Sequence, residues 1–200
     1  MSGTLPTSPA FQSVTIKSNN PNIVTISTSG RRQVKTQQSQ FFSFTAAYPP
    51  MTRTQFAPIM AFVTKQRGAF ESFTMILPDY STTNGAFTNQ ACTTTNSETI
   101  GATAIELTSG SVTQAGALKA GDFVKFTGHN KVYMITSDVD FSSGSATMNI
   151  EPGLLVAVGS GVTIDYTDVE FTVFLSNDVQ EFNTGLASVA TYEIDMREAL

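Results

Sequence analysis

The sequence predicts a mainly β protein of the α+β class, in which many short strands are accompanied by one helix. The 200-residue chain contains 15 Phe and no Trp, and only 14% of its residues are charged. Its polar surface is chiefly Thr, Ser, Asn and Gln. Thr fits a pleated sheet because it is β-branched. Short segments that alternate apolar and polar residues recur along most of the chain, as half-buried strands do.

Residues 52–79 predict a helix followed at once by a strand. The apolar stripe of the helix consists of Phe56, Ile59, Met60, Phe62 and Val63. Thr52 with Gln55 has the spacing of a capping box, and Gly68 supplies the left-handed residue that ends many helices. These signals place the helix at about 54–67. Because it has one apolar face, we expect it to pack on neighbouring strands.

The N-terminal part of the chain predicts strands before this helix. Residues 14–16 and 23–26 alternate around the turn sequence at 19–22, which favours a hairpin between them. A long strand is predicted over 34–48, ended by two prolines. One face is expected to carry Phe42, Phe44 and Ala46, and the other face Phe41, Ser43 and Thr45.

The character of the sequence changes after Pro78. Residues 81–99 have almost no charge and few large apolar side chains, so they predict a polar linker. Residues 100–166 contain about five short strands, which suggest a small closed or half-closed barrel. Alternation like that of the N-terminal part returns in 167–200. We therefore predict a discontinuous β-sandwich or split-barrel domain, 1–80 plus 167–200, interrupted by an inserted barrel.

The residues that most often carry chemistry are scattered. His129 is the only histidine and Cys92 the only cysteine, so neither a base–nucleophile pair nor a four-ligand zinc site is indicated. Asp138 and Asp140 faintly resemble a calcium loop, but the terminal Glu of that motif is missing, which favours a plain turn. Asp122 is expected to stabilise its own turn. We predict no enzymatic activity and no cofactor.

The net charge of −5 argues against sequence-specific nucleic-acid binding, since phosphate contacts require clustered Lys and Arg. Arg31, Arg32 and Lys35 form the only basic cluster. Two interpretations stay open for it: a solvated strand start, or a contact with another subunit or a partner. The first residues do not resemble a signal peptide, and no apolar run approaches the ~20 residues of a membrane span. We therefore expect a soluble protein made in the cytoplasm.

Three segments together resemble one protein family. They are GRRQVKTQQSQFFSFTAAYPP with the following helix and KQRGAFESFTMILPD, then VEFTVFLSNDVQEF, and finally TYEIDMREAL. They are similar to the distal tail and minor tail proteins of long-tailed bacteriophages, including the lambda-type minor tail protein M. The segment LKAGDFVKFTGHNKVYMIT resembles the extra small barrel of larger members. The predicted linker and insertion depart from the compact members.

This resemblance implies a tail-tube-like fold and a structural role without catalytic residues. It implies a homo-hexameric ring in the virion tail, assembled in the host cytoplasm around the channel that DNA crosses. The implied partners are the tail tube protein on one side and the tail tip or baseplate hub proteins on the other.

Two other functions remain as alternatives at this point. The inserted barrel would serve as a host-surface or glycan-binding module if aromatic residues such as Tyr133 or Phe141 were exposed on it. A hydrolase is the third hypothesis, and no constellation of residues supports it.

Overall fold

The chain forms two compact units in the computed structural model. The described residues are 2–36, 39–185 and 189–200. The first unit combines the two ends of the chain, Met1–Met75 and Thr172–Leu200, and the second unit is the segment between them, Ile76–Phe171.

Most regular structure is strand, as predicted for a mainly β protein. The N-terminal part contains β1 (Ser13–Asn19), β2 (Asn22–Ile26), β3 (Arg32–Thr36), β4 (Phe41–Ala47), the helix α1 (Arg53–Lys65) and β5 (Ser72–Ile76). The middle contains β6 (Thr93–Thr94), β7 (Ala104–Thr108), β8 (Gln114–Leu118), β9 (Phe123–Phe126), β10 (Val132–Ile135), β11 (Val139–Phe141), β12 (Ser145–Glu151) and β13 (Ile164–Asp165). The C-terminal part contains β14 (Glu170–Leu175), β15 (Asn183–Thr184), β16 (Ala190–Thr191) and β17 (Glu193–Glu198).

The first unit is built on a five-stranded sheet in the order β1–β4–β17–β14–β5. Along β4 every second residue is buried, and these residues are Phe42, Phe44 and Ala46, which share one face as predicted. Along β17, Ile194 and Met196 are buried while their neighbours face solvent. The alternation follows from the two-residue period of a strand, which turns successive side chains to opposite faces.

The two edges of this sheet differ. The N-terminal arm runs beside β5: Leu5 donates its backbone N–H to Thr74 at 2.8 Å, and Thr74 donates to Gly3 at 2.9 Å. Leu5 itself is buried. At the other edge, β1 pairs with β4 on one side, and within the described chain no strand pairs with its other side. The edge of β1 therefore keeps backbone groups that another strand can bind.

Helix α1 begins and ends within two residues of the predicted bounds. Gln55 accepts hydrogen bonds of 3.0 Å from both the backbone N–H and the hydroxyl of Thr52, which fixes the first turn. The buried stripe consists of Phe56, Ile59 and Val63. Phe62 is half-buried against Phe73, and Met60 is exposed. The apolar face is thus narrower than the sequence indicates.

The predicted hairpin between residues 14–16 and 23–26 is wrong. β1 pairs with β4 in antiparallel register, and β2 pairs with β3 instead. The turn that closes the real hairpin is at Ser27–Arg31, where Gly30 has a φ of +76°. A position with this positive φ favours Gly, so the location of Gly30 helps to determine where the chain reverses.

The single long strand predicted over 34–48 is also wrong, because β3 and β4 are separate strands with different partners. Residues 37 and 38, through which the predicted strand would run, lie outside the described residues.

The second unit contains a nearly closed, barrel-like sheet. Its six-stranded sheet has the order β13–β9–β10–β12–β7–β6. The two end strands meet where Thr93 bridges to Thr163, and Ile164 donates its N–H to Cys92 at 3.0 Å. The strands β8 and β11 form a separate pair. The interior is apolar, with fully buried side chains that include Val124, Phe126 and Tyr133.

Residues 81–99 are not a linker, and we correct this prediction. Phe87 and Cys92 are buried in the barrel core, and β6 is one of the barrel strands. Phe87 stacks on Phe141 with ring centroids 4.8 Å apart. The polar composition predicts a linker because the segment has little apolar surface to bury. In the structure, Phe87, Cys92 and a set of backbone hydrogen bonds hold the segment on the barrel.

The α1 helix has 13 residues, and within the described part of the chain no helix is long and apolar enough to cross a bilayer.

Candidate interaction surfaces

The basic cluster lies on the hairpin formed by β2 and β3, which we call the basic hairpin (residues 22–36). Arg31 is in its turn, Arg32 begins β3, and Lys35 is near the end of β3; all three side chains are exposed. The turn is ordered by backbone hydrogen bonds between Ser27 and Arg31 at 3.0 Å and between Gly30 and Ser27 at 2.9 Å. The structure therefore places these three charges on one two-stranded ribbon, with Arg32 and Lys35 on opposite faces.

The basic hairpin also exposes apolar side chains on both of its faces. The register pairs Val24 with Val34 and Ile26 with Arg32 on one face, and Ile23 with Lys35 on the other. Val24 and Val34 are each about half exposed, and Ile26 is 69% exposed. Exposed β-branched side chains on a two-stranded ribbon favour an interaction surface, because a ribbon without a packed face is marginally stable in water.

A second surface of the first unit is a cleft of about 760 Å³, which we call the acidic cleft. Its lining comes from four parts of the chain: Gln12 before β1, the end of β4 with Pro50, the loop 177–181 with Asn183, and the start of β17 with Thr191. No sequence motif indicates it, because register and loop packing bring these segments together.

Two tyrosines form the base of the acidic cleft. Tyr48 and Tyr192 stack with ring centroids 6.3 Å apart, and both are almost fully buried. Tyr48 donates its hydroxyl to the Pro6 carbonyl at 2.7 Å, and Tyr192 donates to Gln180 at 2.7 Å. Burial, and the proximity of the two phenols, raise the pKa of Tyr48. Burial, followed by the charge of Asp195, raises the pKa of Tyr192. Both therefore stay neutral at ordinary pH.

One wall of the acidic cleft is the loop 177–181, which is fixed to the turn that follows helix α1. Asp178 accepts a hydrogen bond of 3.0 Å from the backbone N–H of Ala69. Gly68 makes this approach possible: a Cβ there would lie 2.9 Å from the Asp178 Cα, and its φ of +67° also favours Gly. Helix α1 ends at Lys65, and Arg67, with a φ of 56°, is the first left-handed residue after it, so Gly68 positions the cleft wall rather than ending the helix.

The cleft is strongly negative. Its described lining includes four carboxylates and neither Lys nor Arg; the four are Asp178, Glu181, Glu193 and Asp195. All four are exposed. Asp195 accepts from the Thr45 hydroxyl at 2.7 Å. Such a concentration of one sign of charge attracts cationic groups.

His129 and Cys92 occupy a turn and the barrel core, respectively, and do not form a catalytic pair among the described residues. His129 lies in the turn between β9 and β10, donating its backbone N–H to Phe126 at 2.9 Å. Burial lowers the pKa of its imidazole. Cys92 is fully buried in the barrel core. Within the described residues, no cluster of three or more His, Cys, Asp or Glu has the geometry to hold a metal ion.

We expect Cys92 to be unreactive in the folded protein. Burial raises the pKa of its thiol to about 12, so the reactive thiolate is scarce at pH 8, and the sulfur is not accessible. Labelling by a thiol reagent at pH 8 should be at least about 100-fold slower than in guanidinium chloride. Rapid stoichiometric labelling of the native chain, followed by mass spectrometry, would contradict the packing of residues 81–99 described above.

The three aspartates singled out in the sequence, Asp122, Asp138 and Asp140, each form hydrogen bonds or an ion pair within the barrel unit. Asp138 forms an ion pair with Lys119, whose nitrogen is 2.6 Å away. The hydrogen bond from Lys119 is the main reason that the pKa of Asp138 is lowered. Asp140 accepts from the Gly116 N–H at 2.6 Å. Asp122 accepts from Lys119 in its own turn at 2.8 Å, and also from Asn84 N–H at 3.0 Å, so it holds two segments together.

The aromatic residues that would have favoured glycan binding are inside the barrel. Tyr133 is fully buried, and Phe141 is only 2% exposed, so neither ring presents a face to solvent. The Tyr133 hydroxyl accepts from the Leu155 N–H at 3.1 Å. The exposed aromatic rings that would favour a glycan-binding module are therefore not found at these two positions.

A comparison with protein families gives one match. Residues 84–163 match the model described as "Distal tail protein pb9, B domain". This confirms the resemblance to phage distal tail proteins. The match lies in the second unit and begins inside the segment predicted as a linker. A comparison with curated proteins finds no match.

Proposed function

We propose that this chain, which carries a segment similar to the B domain of a distal tail protein, is a structural subunit of a phage tail. In this proposal it forms a homo-hexameric ring, of the minor tail or distal tail type, that joins the tail tube to the tail tip or baseplate around the DNA channel. The single observation that carries the proposal is the family match over residues 84–163.

The domain organisation fits this proposal. We propose that the second unit is a domain inserted into the ring-forming domain, which consists of both chain ends. The chain passes through β5 into the barrel and returns through β14, so the barrel can be present or absent without altering the order of the sheet strands. Insertions are tolerated at such positions.

The first unit has the features that ring assembly requires. A cyclic ring is made by heterologous contacts, in which one face of a subunit binds a different face of the next. The free edge of β1, the basic hairpin and the acidic cleft are three unlike surfaces on this unit. Low charge, 14% of residues, also suits a protein whose surface is largely covered by neighbours.

The net charge of −5 fits a ring that DNA crosses without being retained. Like charges repel, so phosphates passing an acidic wall are not held. We propose that the protein acts by assembly alone, in the virion tail after assembly in the host cytoplasm, with the tail tube protein and the tip or baseplate hub proteins as its partners.

Mass measurement in solution tests this proposal. Native mass spectrometry of the full chain, alone and with the cognate tail tube protein, should give a species of about 128 kDa, six times the 21.4 kDa chain. Electron microscopy of the same sample should show rings that cap tube ends. A chain that stays monomeric under both conditions would overturn the proposal.

A further inference from the structure

We propose that the basic hairpin of one copy binds in the acidic cleft of the next copy. This inference deepens the proposed function, because it rests on the chain forming a ring and names the contact that would close it. It concerns the first unit alone.

The charges of the two surfaces are complementary. Residues 22–36 carry Arg31, Arg32 and Lys35 and contain no Asp or Glu. The acidic cleft presents four exposed carboxylates. Among the described residues, none of these three cations makes an ion pair in its own chain, and neither do Glu181 and Glu193. The potentials of a matched pair of surfaces both guide the encounter and reject wrong partners.

The apolar parts are complementary as well. The hairpin exposes Ile23 by 50% and Ile26 by 69%. The cleft has Pro50 at its rim, and Val179, which is 77% exposed, in its wall. Burying these side chains against each other removes apolar surface from water, which stabilises an interface at its centre while charges surround it.

The positions of the two surfaces indicate a contact between copies. The hairpin connects the end of β1 at Asn19 to the start of β4 at Phe41, whereas the cleft is lined by Ala47 and by Gln12, just before Ser13. These are opposite ends of one antiparallel ladder, about 20 Å apart for a strand of this length. A contact between the hairpin and the cleft therefore joins unlike faces of two copies, which is the arrangement that produces rings.

A second copy is the occupant that the structure favours. Every copy carries one hairpin and one cleft, so the contact satisfies both surfaces of every subunit when a ring closes. A different protein in the cleft would leave the exposed isoleucines and cations of the hairpin unmatched.

Charge reversal of each surface tests the contact in the full chain. Arg31→Glu/Arg32→Glu reverses the hairpin, and Glu181→Lys/Glu193→Lys reverses the cleft. Each variant alone should associate at least about 100-fold more weakly than the wild type, because like charges face each other across the contact. All four residues are exposed, so folding should be preserved and is checked by circular dichroism.

Mixing the two variants provides the decisive result. The acidic hairpin of one variant faces the basic cleft of the other, and the two unchanged surfaces also match, so an equimolar mixture should form alternating rings with a mass near that of the wild type. The control Arg53→Glu/Arg67→Glu changes the net charge by the same amount as the hairpin variant, at two exposed arginines outside both surfaces, and should leave assembly unchanged.

The outcomes separate this inference from the proposed function. A wild-type chain that never forms rings overturns the proposed function. A wild-type ring that is insensitive to both reversals, or reversed variants that do not assemble when mixed, overturns the hairpin–cleft contact and leaves the ring intact. Loss of tube binding with unchanged self-association would likewise overturn it, since the hairpin would then bind the tube protein.

Discussion

Ile59→Asp is expected to unfold the first unit, with a loss of about 4 kcal/mol or more in the free energy of unfolding. Ile59 lies on the buried face of helix α1 and has no exposed surface. A carboxylate there would lose its hydration without a partner to replace it. The effect is measured as the shift of the urea unfolding transition, followed by circular dichroism.

Met60→Asp is the matched control, since Met60 is the next residue of the same helix and is 43% exposed. It introduces the same charge with the same helix propensity, and its cost should stay within about 1 kcal/mol. Equal losses for the two variants would show that the buried face of the helix is misidentified.

Phe62 belongs to the apolar stripe predicted from the sequence, and we expect Phe62→Asp to be less damaging than Ile59→Asp. Phe62 packs edge-on against Phe73 at 5.4 Å but is only half-buried, so an aspartate there keeps part of its hydration.

Gly85→Ala is expected to destabilise the barrel by about 3 kcal/mol. A Cβ at Gly85 would lie 2.1 Å from the Ala117 carbonyl oxygen and 2.8 Å from the Leu118 Cα, which are backbone atoms of β8. The hydrogen bonds from Ala86 to Gly116 at 2.9 Å and from Phe87 to Ala117 at 3.0 Å prevent the segment from moving away. Thermal unfolding of the variant measures the loss.

Gly159→Ala is the control for this variant. The nearest atom to a Cβ there is in the Val162 side chain, 3.9 Å away, and its φ is outside the left-handed region. Alanine should change stability by no more than about 0.5 kcal/mol, or raise it slightly by restricting the unfolded chain. If Gly85→Ala is equally harmless, residues 81–99 do not pack against β8.

The match to a distal tail B domain and the nearly closed barrel concern the same part of the chain. The matched residues 84–163 include every strand of the barrel sheet except β13, which begins at Ile164. The start of the match at residue 84 agrees with the packing of Gly85 and Phe87 on the barrel, whereas composition alone places the start of the barrel near 100.

Features determined by neighbouring residues were predictable from the sequence. The stripe of Phe56, Ile59 and Val63 predicts helix α1, and the alternation of Phe42 and Phe44 predicts that these two side chains share one face of β4. Each signal lies within one element, because the periods of helix and strand depend on local backbone geometry. The mainly β class follows from the same kind of signal.

Two of the failed predictions involve contacts between distant residues. The alternation of residues 14–16 favours pairing with the next strand in sequence, whereas β1 pairs with β4 across the basic hairpin. The polar composition of residues 81–99 predicts a linker, because composition does not show that Phe87 stacks on Phe141. Neither contact leaves a periodic signal, since each depends on which surfaces the whole fold brings together.

The basic hairpin and the acidic cleft differ in the same way: the first is visible in the sequence, and the second only in the fold. The sequence by itself determined that Arg31, Arg32 and Lys35 form a basic cluster, because they are close together along the chain. Only the tertiary structure decided that Asp178, Glu181, Glu193 and Asp195 surround one cleft, and that this cleft lies at the opposite end of the β1–β4 ladder from the hairpin. The physical reason is that charges far apart in sequence are brought together by strand register and loop packing, which are fixed by the burial of a shared core.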